Sequence, residues 1–244
     1  MKLKFIIAYD GGPFEGWQSQ ARGSSVQDAV EEALAKIAGE RIVLRGAGRT
    51  DAGVHALAQC AHVDVPEGSL DAAGWLRALN GNLPPTVRVL ESGPADDDFH
   101  ARFSAKGKVY RYLIRNQAVL PPLEVGRVWH EPRPINEEGV RAAAAIFEGR
   151  HDFAGFSANR GDAPRHTVRT IRRITVSRED SLFALTFEGE GFLYKMVRML
   201  TGAIVRVGHG RETVENLRGR LDGCGPRWNH VAPACGLYLV KVLY

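Results

Sequence analysis

An arginine and an aspartate stand two residues apart in the segment Gly48-Arg49-Thr50-Asp51-Ala52-Gly53-Val54-His55, which carries a glycine near each end. Alternating apolar and polar residues run on both sides, so the segment reads as a connection between two strands. Glycines there let the backbone turn tightly and let another molecule approach it. A carboxylate and a guanidinium on a loop held by a rigid scaffold form a natural reactive pair. A lone aspartate in a loop also serves as a turn or cap residue. The preceding Gly46-Ala47-Gly48 imitates the start of a dinucleotide fingerprint. Asp51 replaces its last glycine, no helical pattern follows, and a carboxylate would repel a pyrophosphate, so that reading fails. Asp51 and His55 lack a third ligand at a recognisable spacing, so no metal centre is expected. His62 and Asp64 read as alternate positions along a strand.

Three further segments carry chemistry-bearing residues. Phe99-His100-Ala101-Arg102-Phe103 sets two aromatics around a histidine and an arginine, a mixture that can stack bases and hold phosphate, or plug a linker with its phenylalanines. Tyr110 and Tyr112 share one face of a strand pattern, suited to base stacking or to core packing. Arg198 falls within Met196-Val197-Arg198-Met199-Leu200, a helix opening that is apolar nearly all round. If buried there it needs a partner; otherwise it snorkels to water.

Periodicity supplies the elements that position these residues. Strands are expected over 2–9, 41–47, 58–65 and 86–92. A helix follows an S-x-x-Q capping box at Ser24 and Gln27 and ends at Gly39, and a second helix spans 69–79. The order is β-α-β-β-α-β. The second half repeats it, with strands over 106–116, 167–177, 182–188 and 237–243 and helices over 137–147 and 194–207; an extra helix spans 213–221. The expected architecture is α+β, two ferredoxin-like or RNA-recognition halves with adjoining antiparallel sheets, residues 1–104 and 105–244. Segments 117–134 and 159–164 read as long loops, which are often functional.

Charge divides along the same boundary. Residues 1–104 hold 10 Lys and Arg against 14 Asp and Glu, whereas residues 105–244 hold 22 against 14, and seven arginines lie between Arg150 and Arg178. A basic half fits a polyanionic partner such as nucleic acid, or a solvated arginine-rich surface. A 44% hydrophobic content among 244 residues is enough for a real core. No apolar run is long enough for a membrane span, and the first residues read as a strand, not a signal peptide. Cys60, Cys224 and Cys235 form no C-x-x-C pair, which fits a reducing cytoplasm.

The same segments, taken in order, resemble the tRNA pseudouridine synthase A family. Tyr9-Asp10-Gly11 and Gly16-Trp17-Gln18 are similar to its opening, and Gly48 to His55 resembles its catalytic loop. Phe99 to Ser104, Tyr110-Arg111-Tyr112, His151-Asp152-Phe153, Met196-Val197-Arg198 and Gly236-Leu237-Tyr238-Leu239 follow in the family's order. The resemblance implies the pseudouridine synthase fold and Asp51 as catalytic aspartate. It gives Arg49 the task of intruding on the RNA, lays Tyr110 against the flipped uracil, pairs Arg198 with Asp51, and makes Leu237 a pocket wall. It implies tRNA contacts from Phe99, His100, Ala101, Arg102 and Phe103, and from Arg160 and Arg165 in a loop that matches more loosely. It further implies action on anticodon stem-loop uridines 38, 39 and 40, a homodimer, and no cofactor.

The residue types suit that chemistry. Pseudouridine formation breaks the C1′–N1 bond and remakes it at C5, with no redox change. An ionised carboxylate can attack C1′, remove a ribose proton, or add to C6 of the base; all three routes stay open. Two other classes compete. A tandem RNA-binding protein would need no carboxylate, and a nucleoside hydrolase would release free uracil.

Overall fold

The computed structural model describes residues 1–20, 23–158 and 166–244. Two compact units emerge, Met1–Lys106 with Tyr238–Tyr244, and Gly107–Leu237.

In the first unit, β1 (Lys2–Tyr9) buries Leu3, Phe5, Ile7 and Tyr9 with strict period two. It lies between β3 (His55–Asp64) and β4 (Val87–Pro94), antiparallel to both. The carboxy-terminal strand, labelled β10 (Leu237–Leu243) in chain order, runs parallel to β3, with Tyr238 opposite His55. The first helix, α1 (Val26–Ala38), buries Val26, Val30, Ala33 and Leu34. Its capping box is Ser25 with Asp28, one residue beyond the expected Ser24 and Gln27. Asp28 accepts from the Ser25 N–H at 3.1 Å, while Gln27 turns inward. Gly39 ends the helix at φ 75°, as expected. The next helix, α2 (Ala72–Asn82), starts at Asp71 and contacts α1 and β4.

The expected strand over 41–47 shrinks to β2 (Arg45–Gly46), paired with β3. The alternation there is real, because Ile42 and Leu44 are buried and their neighbours exposed. The backbone bonds go elsewhere. Leu44 donates its N–H to Glu31 at 2.9 Å and accepts from the Gln27 amide at 3.2 Å. Side chains from α1 replace a neighbouring strand.

In the second unit the sheet order is β5 (Gly107–Arg115), β9 (Leu182–Gly189), β8 (Val168–Glu179), β7 (Gly149–Asp152), antiparallel throughout. A two-residue strand, β6 (Trp129–His130), pairs with β5 inside the expected 117–134 loop. β6 and β7 are too short for alternation to mark them. Three helices are described here, α3 (Glu137–Ala145), α4 (Met196–Gly208) and α5 (Val214–Leu221). The most buried, α4, packs against α3. Among the described residues no helix is long and apolar enough to cross a membrane.

Candidate active site

The turn carrying Asp51 is fixed from several sides. Val54 N–H donates to the Asp51 carbonyl at 3.1 Å, and Gly53 adopts φ 75° to allow that closure. Trp17 N–H donates to the Thr50 carbonyl at 3.1 Å, and the Tyr9 hydroxyl bonds Thr50 Oγ1 at 2.8 Å. Gly16, at φ 96°, lies directly against Thr50, Asp51 and Ala52. Past the turn, buried His55 accepts the Gly11 N–H at Nδ1, 3.1 Å away, and stacks on Tyr238 at 4.7 Å. Asp10 Oδ1 lies 3.1 Å from the same nitrogen. Before the turn, fully buried Gln59 donates Nε2 to the Gly48 carbonyl at 2.8 Å. Asp51 therefore sits on a backbone clamped at both ends, with its own residue only half-buried.

Arg49 is exposed, and a chain of amides steers it. Its Nε donates to Gln18 Oε1 at 3.0 Å, and Gln18 Nε2 donates to Gln27 Oε1 at 2.8 Å. Gln27 is anchored by Glu31 and the Leu44 carbonyl. The burial of Gln27 on α1 thus reaches the surface guanidinium in two steps.

In the second unit, the two candidate tyrosines of β5 separate in role. Tyr112 is fully buried and donates its hydroxyl to the Pro233 carbonyl at 2.6 Å, so it belongs to the core. Burial pushes its phenol well above its ordinary pKa. Tyr110, 8% exposed, meets Phe192 edge-on at 5.2 Å. Arg198, on the first turn of α4, is half-buried and donates Nε to the Ala232 carbonyl at 2.8 Å, while Ala232 N–H returns a bond to the Arg198 carbonyl at 3.1 Å. The same 232–237 segment presses Gly236 against the Tyr112 ring, where a β-carbon would come within 2.6 Å. Leu237 follows, buried. Arg198 and Leu237 are thus held by one segment that Tyr112 anchors.

The Phe99–Phe103 segment does not adjoin the Asp51 turn. It packs on His62, seven residues along β3 from His55, roughly 23 Å at the rise of a strand. Ala101 is fully buried, Phe99 and His100 half-buried, Arg102 and Phe103 exposed. His62 and Asp64 do lie two apart on β3, but their exposure differs: His62 is buried and Asp64 exposed, and His62 has a partner across 39 residues. Gln18, Gln27 and Gln59 were also missed as positioning groups; only Gln18 carried a signal, through the Gly16-Trp17-Gln18 resemblance.

Arg160 and Arg165 lie outside the described residues. In the second unit, Arg150, His166, Val168, Arg169, Thr170, Glu190 and Gly191 line an open cleft of about 390 Å³. Burial lowers the pKa of the Arg169 guanidinium, whose Nη1 donates to the His166 and Val168 carbonyls. Among the described residues no three His, Cys, Asp or Glu side chains are grouped to hold a metal ion.

Comparison with known proteins supplies the context for this geometry. The sequence profile described as tRNA pseudouridine synthase matches residues 5–104 and 143–244. A protein of Akkermansia muciniphila named tRNA pseudouridine synthase A is 41% identical over all of this chain and 95% of its own length. Proteins of the same name from Acetivibrio thermocellus and Nitrobacter winogradskyi are 40% and 42% identical, covering 99% and 100% of this chain and 99% and 95% of theirs. With both halves matched and identity sustained end to end, this chain belongs to the tRNA pseudouridine synthase family, whose members are isomerases.

Proposed function

We propose that this chain isomerises uridine to pseudouridine at positions 38, 39 and 40 of the tRNA anticodon stem-loop, with Asp51 as the catalytic carboxylate. The observation that supports this most is the clamped turn: Gly16 and Trp17 fix the backbone at Thr50 and Asp51, Tyr9 holds the Thr50 side chain, and Asp51 stays half-buried. A nucleophile or base held in one place converts binding into rate.

In the reaction the C1′–N1 bond breaks, uracil turns, and a C1′–C5 bond forms; the proton lost from C5 balances the one gained at N1. Nothing is oxidised, so the reading calls for no cofactor. Arg49, steered by Gln18, enters the RNA stack and offsets part of the few kcal/mol that flipping a base costs. Tyr110 lies against the flipped base, Arg198 pairs with Asp51, and Leu237 walls the pocket against water. Arg102, Phe103, Arg160, Arg165 and the Arg150–Arg169 cleft engage the RNA away from the reacting base. The reading includes a homodimer acting in the cytoplasm.

Replacing Asp51 by Ala or Asn tests it. Loss of pseudouridine with tRNA binding retained supports the assignment. Free uracil released by the unaltered protein would instead make it a hydrolase.

A further inference from the structure

We propose that His55 is a positioning residue of the isomerisation: through the turn at Asp10, Gly11 and Gly12 it holds the Asp51 turn, and with it the Asp51 carboxylate, where the nucleotide reacts. The proposal rests on the reading that Asp51 performs the chemistry, and it names what keeps Asp51 in place.

His55 opens β3 just past the Asp51 turn and is 3% exposed. Separate parts of the first unit meet on its ring. Nδ1 accepts the Gly11 N–H at 3.1 Å, and Asp10 Oδ1 stands 3.1 Å from the same nitrogen. One face stacks on Tyr238 of β10 at 4.7 Å between centroids, and the two residues are also partners in the strand register. Asp10 Oδ1 in turn accepts the Gly12 N–H at 3.0 Å, which closes the turn on itself. The ring nitrogen serves one partner at a time. With a lone pair it takes the Gly11 N–H; carrying a proton, it donates to the Asp10 carboxylate. Both partners belong to one turn, so the ring grips that turn in either form.

The grip reaches Asp51 through Val54. Gly11 lies flush on the Val54 peptide, where a β-carbon would collide with the carbonyl oxygen. Val54 N–H closes the catalytic turn by donating to the Asp51 carbonyl at 3.1 Å. Gly11 is therefore a wedge between the imidazole and the peptide that closes the turn. Packing alone does not call for an imidazole here. A phenylalanine would stack on Tyr238 as well, with no buried polar atom to satisfy. What the imidazole adds is a directed bond to the backbone behind the catalytic turn. A drift of ~1 Å in a reacting group lowers turnover by about a hundredfold, so that bond bears on rate. His55, buried as it is, acts through this backbone and not on the nucleotide.

The test measures dissociation constants and steady-state kinetics of pseudouridine formation on a full-length tRNA transcript, per folded protein, for the unaltered chain, His55→Phe, His55→Asn and Asp51→Asn. His55→Phe keeps the stack and loses the nitrogen: kcat falls roughly 10- to 100-fold while KM and Kd stay within about twofold. His55→Asn, which keeps an acceptor near the place of Nδ1, returns kcat to within about fivefold of the unaltered chain. A kcat for His55→Phe within about threefold of the unaltered chain overturns the proposal, as does an equal loss in both His55 variants, which marks the residue as packing. Should His55→Phe not fold, amide exchange in the unaltered chain decides: the Val54 N–H is protected by about a hundredfold or more, and free exchange there overturns the clamp. Pseudouridine formed by Asp51→Asn strikes the underlying reading, and the proposal with it. An inactive Asp51→Asn beside a fully active His55→Phe strikes the proposal alone.

Discussion

Gly16 lies so close beneath Thr50 that a β-carbon at position 16 would stand 2.6 Å from the Thr50 carbonyl oxygen. Its φ of 96° lies where L-residues are strained in any case. Gly16→Ala is therefore expected to cost about 1–3 kcal/mol of stability and to displace the Asp51 turn. A shift of ~1 Å in a reacting group can lower turnover by about a hundredfold. Thermal unfolding and single-turnover kinetics on the same preparation check both effects. Tyr9→Phe is the gentler companion: it loses the Thr50 hydroxyl bond, for about 1 kcal/mol, and keeps the ring in place.

Gln18 couples the core to Arg49. Gln18→Ala removes the acceptor of the Arg49 Nε bond and releases a long side chain. The expected result is a fall in kcat/KM of roughly three- to tenfold, for the loss of about 1 kcal/mol, with little change in melting temperature because the bond is exposed. Kinetics and unfolding curves for Gln18→Ala beside Arg49→Ala check it; the double variant should be no worse than Arg49→Ala alone.

His62 makes stability depend on pH. Burial first, then the charges of His100, Lys2 and Arg45, set against Asp64, push its pKa down to about 4 from the ordinary 6.5. Its Nδ1 accepts from Ala101, so the folded chain holds the ring neutral, while the unfolded chain binds a proton below about pH 6.5. The contribution is whole above pH 6.5 and is lost as pH falls towards 4, on the order of 3 kcal/mol in total. Denaturant unfolding of the native chain and of His62→Asn between pH 7 and pH 4 checks this. The native chain should show the steeper decline.

The arginines of the second unit make a salt prediction. If the cleft at Arg150 and Arg169 holds RNA phosphate, log affinity should fall linearly with log salt, and Arg169→Gln should reduce that slope by about one. Binding isotherms at several salt concentrations measure both.

Much of this architecture was legible in the chain. The period-two burial of β1, the left-handed stop at Gly39 and the apolar sweep of α4 each arise from local spacing, and each forms. The strand expected over 41–47 fails for a physical reason: alternation reports burial, and Leu44 is buried with its backbone bonded to the side chains of Glu31 and Gln27. At the site, the types of residue were visible but their supports were not. Nothing in the spacing tells that His62 bonds a backbone 39 residues away, or that Tyr112 belongs to the core through Pro233, 121 residues on. Such pairings depend on tertiary closure, which periodicity does not carry.

The central claim is that Asp51 performs the chemistry. The direct measurement is the yield of pseudouridine in an anticodon stem-loop transcript, read by base-specific chemical labelling, for the native chain and Asp51→Asn at matched RNA occupancy. The account predicts full conversion by the native chain and no detectable product from Asp51→Asn, although the variant still binds the RNA. Pseudouridine formed by Asp51→Asn at a rate within tenfold of the native chain would contradict it.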